Sequence, residues 1–134
     1  MAYRILMDYT ISNEKNIFTS LQLEGHNIEI EIAKSVVSDK CFINIKINGE
    51  DYVTGKICGT YEPILDVSKT WFDCPLNGDF FFAYTVEDEL YYDFDIAKLG
   101  SKLFLMYDPD IYVGDRLWHG KRELLRLEYL VLKV

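Results

Sequence analysis

From His26 to Ala33 the chain reads His, Asn, Ile, Glu, Ile, Glu, Ile, Ala, so Ile28, Ile30 and Ile32 share one face and Glu29 and Glu31 the other. That period of two predicts a half-buried strand. The preceding run, Asn16 to Leu23, carries Phe18, Leu21 and Leu23 and meets it through Glu24-Gly25, a short turn that predicts a hairpin. A second alternation follows, with Cys41, Ile43, Ile45 and Ile47 interleaved with Phe42, Asn44 and Lys46, and it ends in Asn48-Gly49. Both central positions of a type I′ turn need positive φ, which Asn and Gly supply, so Tyr52 to Cys58 is expected to pair antiparallel with Cys41 to Ile47.

Beyond Gly59 the pattern loosens. Pro63 and Pro75 mark loops around a short segment centred on Trp71 and Phe72. Phe80 to Val86 is a continuous apolar run, as in a strand buried on both faces, and the acidic Glu87-Asp88-Glu89 is its turn. Lys102 to Tyr107 is a further strand, with Leu103, Leu105 and Tyr107 on one side, Phe104 and Met106 on the other, and Asp108-Pro109-Asp110 as its stop. Near the end, Leu125, Leu127, Tyr129 and Val131 alternate, which favours a strand over Leu124 to Leu132, while Arg116 to Arg126 also fits a helical turn or two. The expected fold is a single all-β domain over residues 1–134, a small antiparallel barrel or sandwich built from hairpins, with little or no helix.

Composition sharpens this picture. A chain of 134 residues, 49% hydrophobic and 27% charged, has the length and make-up of one globular domain. Its aromatic content of 15%, ten Tyr, eight Phe and two Trp, favours strands. The 14 basic and 22 acidic groups give −8, the wrong sign for coating a phosphate backbone, and no apolar stretch reaches the roughly 20 residues of a membrane helix. Neither nucleic acid nor membrane is an expected partner, and synthesis in the cytoplasm is expected. Charge is unevenly spread. Residues 1 to 115 hold 9 basic and 20 acidic groups, net −11, whereas residues 116 to 134, a basic leucine-rich end, hold 5 and 2, net +3. Such an end suits docking on an acidic surface of its own chain or of another subunit.

Candidate chemistry is thin. Cys41, Cys58 and Cys74 form no CxxC pair and read as reduced small hydrophobes. The two histidines, His26 and His119, have no accompanying nucleophile elbow, HExxH or glycine-rich phosphate loop. Asp93 with Asp95 and Asp108 with Asp110 have the spacing of paired ligands on an extended segment, but a calcium site needs six or more oxygens, and solvated loop acids are the simpler reading. No catalytic residue, cofactor or metal is expected. What remains is an acidic, tyrosine-rich surface suited to protein partners, for which Tyr84, Tyr91, Tyr92, Tyr112, Trp118, Arg122 and Arg126 are the interaction candidates.

The order of these features carries a resemblance. The half-buried strand of Ile28, Ile30 and Ile32 comes first, then Phe42-Ile43-Asn44-Ile45-Lys46-Ile47-Asn48-Gly49 and Val53-Thr54-Gly55-Lys56-Ile57. A proline-containing loop, a Gly78-led hydrophobic strand and Leu99-Gly100-Ser101-Lys102-Leu103-Phe104-Leu105-Met106-Tyr107 complete the series. Over about residues 16 to 110 this resembles the baseplate plug proteins of contractile-tailed phages and tail-like particles; the tryptophan usual in the family's hairpin strand stands here as Phe42 or is absent. The resemblance implies a structural protein, not an enzyme, that joins the particle through hub and tube proteins, and a homo-oligomer is compatible with it. Exposed strand edges would then augment a neighbour's sheet, with Glu29, Glu31 and Lys46 guarding edges against chance pairing. A competing class is a small acidic immunity-type protein that neutralises a basic toxin or nuclease.

Overall fold

The computed structural model describes residues 2–6, 16–35, 37–38, 40–66, 73–85, 92–112 and 129–133. In chain order the elements are β1 (Ala2–Leu6), β2 (Asn16–Leu23), β3 (His26–Lys34), β4 (Cys41–Ile47), β5 (Glu50–Ile57), β6 (Asp79–Tyr84), a 3-10 turn at Ile96–Lys98, β7 (Leu103–Asp108) and β8 (Tyr129–Lys133). They form two four-stranded sheets, β6-β7-β1-β8 and β2-β3-β4-β5. All pairings are antiparallel except β1 with β8, which run parallel. The protein is thus all-β, and its strands close into two separate sheets rather than one ring.

The second sheet is a meander of local hairpins. Glu24 and Gly25 turn β2 onto β3 with φ of 53° and 80°, and Asn48 and Gly49 turn β4 onto β5 with 53° and 83°. Positive φ at both central residues is the type I′ signature. The β2–β3 register runs unbroken from Asn16↔Ala33 to Leu23↔His26. The β4–β5 ladder instead shifts register twice, between Ile43 and Ile45 and between Ile45 and Lys46, so β5 begins at Glu50 and Cys58 lies just past its end. Ile28, Ile30, Ile32, Ile43, Ile45 and Ile47 are almost wholly buried, as the alternation requires.

The other sheet has two buried faces. Every residue of β6 and of β7 is buried. Phe80, Phe82, Tyr84, Leu103, Leu105 and Tyr107 join the isoleucines in one core between the sheets, together with Ile5 of β1. Phe81, Ala83, Phe104, Met106 and Ile111 form a second cluster on the far face, covered in part by Tyr61 and Tyr112. The two faces of Leu103–Asp108 therefore fall as the sequence predicts, and each is apolar because each meets a separate core.

Several boundaries and placements differ from expectation. Asp108 continues β7 by pairing with Asp79 instead of stopping the strand, and both carboxylates are buried, so Asp108 is no solvated loop acid. Of the apolar residues noted in Asn16–Leu23, Leu23 is buried, whereas Phe18, at odd spacing from Leu21 and Leu23, points outward, 59% exposed. Glu29, Glu31 and Lys46 lie on inner strands, not edges. Of the expected strand Leu124 to Leu132, Tyr129–Lys133 is observed, docked on β1 of its own chain, and residues 124–128 lie outside the described set together with Trp71, Phe72, Val86 and Glu87-Asp88-Glu89.

Candidate interaction surface

At one corner of the sandwich the end of β6 meets the segment before the 3-10 turn. Tyr84, an expected surface anchor, is fully buried there: its hydroxyl donates to Asp93 O at 2.7 Å and its N–H donates to the Tyr61 hydroxyl at 3.1 Å. It is a core tyrosine and offers a partner no contact area while the domain is folded. Tyr92 is 48% exposed and stands edge-on to Tyr84 with ring centroids 6.0 Å apart. Lys98 Nζ sits 4.4 Å from the Tyr92 centroid and 5.8 Å from that of Tyr84, a cation–π placement fixed by the 3-10 turn that Asp95 caps through Ala97 N. Together with Lys34, Asp93, Phe94, Asp95 and Ile96 these residues line an open depression of about 660 Å³.

Tyr112 is elsewhere. Its hydroxyl donates to Asp79 Oδ2 at the start of β6, and five residues of strand rise, about 17 Å, separate Asp79 from Tyr84. Asp79 Oδ1 accepts from Leu65 N and Phe80 N, both at 2.6 Å. Alongside, the Tyr107 hydroxyl donates to Glu24 Oε2 and accepts from Gly78 N at 2.9 Å, while Glu24 Oε1 accepts from Asn77 N at 3.1 Å. Glu24 belongs to the β2–β3 turn, so these bonds tie the two sheets at one end. Burial, then the adjacent carboxylates, pushes the Tyr107 and Tyr112 hydroxyls above the usual tyrosine range, which keeps both protonated as donors. This junction is a structural clasp. Tyr91, Trp118, Arg122 and Arg126 lie outside the described residues, and of the remaining candidates only Tyr84 and Tyr92 are brought together.

The larger exposed apolar surface was not among the sequence candidates. On the outer face of the second sheet, Ala33, Phe42 and Ile57 stand in one row across β3, β4 and β5, and Phe18 of β2 stands in the adjoining row, opposite Glu31; Phe18 is 59% and Ile57 52% exposed. Apart from Phe18 that adjoining row is polar: Glu31 accepts from Asn16 Nδ2 at 2.6 Å and from Asn44 Nδ2 at 2.8 Å, and Asn44 Oδ1 accepts from Gly55 N at 2.6 Å. Phe18, Ser20, Glu29, Glu31, Asn44 and Lys46 line a groove of about 460 Å³ above it. The signal was available in the parity of Phe18 and Phe42, which share the face of the polar residues of their own strands.

Other reactive side chains are held in structural roles. Cys41 and Cys58 are buried neighbours on the β4–β5 hairpin; burial raises both thiols, Cys58 to about 12, so neither is a thiolate near neutral pH. His26 Nδ1 accepts from Asn48 Nδ2 at 2.9 Å across the two turns. Among the described residues no group of three or more His, Cys, Asp or Glu is placed to hold a metal ion, and no helix is long and apolar enough to cross a membrane. Comparison with known proteins gives no matching family model and no matching curated protein.

Proposed function

We propose that the protein is a structural component of a phage tail or tail-like contractile particle, a plug or adaptor at the baseplate hub that acts by protein–protein assembly. The observation that carries this reading is the ordered resemblance over about residues 16 to 110, above all Leu99-Gly100-Ser101-Lys102-Leu103-Phe104-Leu105-Met106-Tyr107. In support, that segment is a framework element of the domain: Gly100 N donates to Leu103 O at 2.6 Å at the entry to β7, which lies between β6 and β1 with Leu103, Leu105 and Tyr107 in the core. The other resembling segments supply β3, β4, β5 and β6.

On this reading the protein is made in the cytoplasm and then built into the particle, with hub and tube proteins as partners and no catalytic step. The outer strip of Phe18, Phe42 and Ile57 and the Tyr92–Lys98 corner are the surfaces with the right chemistry, apolar or aromatic centres with polar rims. Co-expression with tube, sheath and hub proteins of a contractile-tailed particle, followed by affinity purification of this chain, tests the proposal. Stoichiometric recovery of a hub or tube protein is expected. Recovery of none of them, with salt-sensitive capture of a basic nuclease instead, overturns it in favour of an acidic inhibitor.

A further inference from the structure

The four sheet edges are not treated alike. The free edge of β6 is covered by the segment after β5, where Tyr61 N donates to Phe82 O at 2.8 Å and Ile64 N to Phe80 O at 2.9 Å. The β5 edge carries Glu50, Asp51 and Lys56 and two register shifts, and β8 is only five residues long with Lys133 at its end. Charge, bulges, covering segments and shortness are the means by which proteins keep edges from pairing. Among the described residues the β2 edge has none of them: Asn16-Ile17-Phe18-Thr19-Ser20-Leu21-Gln22-Leu23 is eight residues long, contains no charge, proline or glycine, and is in unbroken register with β3.

Alternation fixes which backbone groups that edge offers. Asn48 N donates to Asn27 O, so Asn27, Glu29 and Glu31 bond β4 and the even-numbered residues of β3 bond β2. Through the pairs Leu21↔Ile28 and Thr19↔Ile30, the odd-numbered residues of β2 bond β3, while Asn16, Phe18, Ser20 and Gln22 direct N–H and C=O outward. Among the described residues these groups have no backbone partner.

We infer that β2 pairs antiparallel with β2 of a second copy of this chain about a two-fold axis at Thr19, joining two four-stranded sheets into one of eight strands. That register opposes Asn16 with Gln22 and Phe18 with Ser20, keeps the core faces of both copies on one side, and forms eight backbone hydrogen bonds. A two-fold axis at Ser20 forms six. The axis at Thr19 also sets the two Phe18 rings diagonally across it, about 7–8 Å apart at the backbone and within aromatic reach, which accounts for a largely exposed Phe on an edge strand. Net charge does not oppose the pairing locally. Among the described residues the nearest carboxylates facing each other across the axis, Glu29 and Glu31 on each β3, are three strand spacings apart, about 14 Å, beyond a screening length of roughly 8–10 Å at physiological salt. An isologous contact of this kind closes on itself as a dimer.

Sedimentation velocity and amide hydrogen exchange on the full chain, over a dilution series from about 100 µM, test this. Dimer is expected at the top of the series. Ser20→Pro removes an outward N–H without touching the β3 ladder, and Phe18→Lys puts like charges beside the axis; each is expected to raise the dissociation constant at least tenfold while native far-UV circular dichroism is retained. Without any substitution, the amides of Asn16, Phe18, Ser20 and Gln22 should gain protection at high concentration, while those of Ile17, Thr19 and Leu21 are protected throughout. A wild-type monomer at every concentration overturns the proposal, as do a dimer that survives both substitutions and even-numbered amides whose exchange is independent of concentration. None of these outcomes depends on whether a tail protein is bound.

Discussion

Tyr107→Phe removes one oxygen atom from the clasp between the sheets and leaves the ring, which packs against Phe80 with centroids 5.0 Å apart, in place. Two bonds go with that oxygen. Donation to the Glu24 carboxylate is a charge-assisted bond, and since Glu24 is exposed and regains water its loss falls at the low end of the range, about 1.5 kcal/mol. Gly78 N–H is buried and loses its acceptor, which costs about 1–3 kcal/mol. The expected destabilisation is about 3 kcal/mol, or near 10 °C in Tm for a domain of this size. Urea unfolding followed by far-UV circular dichroism reads it as a lower midpoint with unchanged slope. Glu24→Gln keeps an acceptor oxygen and should cost about 1 kcal/mol, and the double variant should fall short of the sum, because one change weakens the bond that the other removes. A Tyr107→Phe protein within about 0.5 kcal/mol of wild type would refute the claim that this hydroxyl joins the sheets.

Three further outcomes follow from the same packing. Gly78→Ala places a Cβ 2.0 Å from Asp108 O and 2.5 Å from Pro109 Cα, backbone atoms that cannot give way, so a loss of about 3 kcal/mol or failure to fold is expected in thermal unfolding, and a neutral alanine would contradict the close approach. Phe104→Ala, in the second cluster at 5% exposure, should lower stability by roughly 3–5 kcal/mol in the same assay. Stability should also fall in alkali. The Cys58 thiol is raised from 9.0 to about 12 and the Tyr107 and Tyr112 hydroxyls are raised above 10.0, so the unfolded chain releases these protons first. The stabilisation is complete below pH 9 and declines as pH rises from 9 to 12 for the thiol and above 10 for the hydroxyls, each by up to about 1.4 kcal/mol per unit. Urea midpoints measured from pH 7 to 11 check this, and Cys58→Ala should diminish the part that begins near pH 9, leaving the share of Cys41, whose thiol burial also raises.

The competing classes at the outset, baseplate component and acidic inhibitor, both place function on a surface, and the described surface divides into unequal parts. Several of the described tyrosines have structural roles: Tyr84 closes a corner, and Tyr107 and Tyr112 hold carboxylates at the sandwich end. Among the described residues, exposed apolar side chains on the strands of the β2–β5 sheet are Phe18 and Ile57, with Phe18 on its uncharged first strand.

Local pattern was enough to specify the hairpins. Asn48-Gly49 and Gly25 favour positive φ by themselves, Glu24 adopts it in the closed turn, and alternation in His26–Lys34 and Cys41–Ile47 fixes which side chains travel together. Period two says that a strand has two faces; it does not say what covers each. Only the tertiary structure decided that β1 lies between β7 and β8, that both faces of β6 and β7 meet a core, and that Asp79 and Asp108 are buried against each other's strands. It likewise made β2 an edge and β3 an inner strand, which moved the guarding charges away from the edge that lacks them. These are pairings between residues as far apart as Ala2 and Tyr129, chosen by how two apolar layers fit, and no local window of the chain contains both partners.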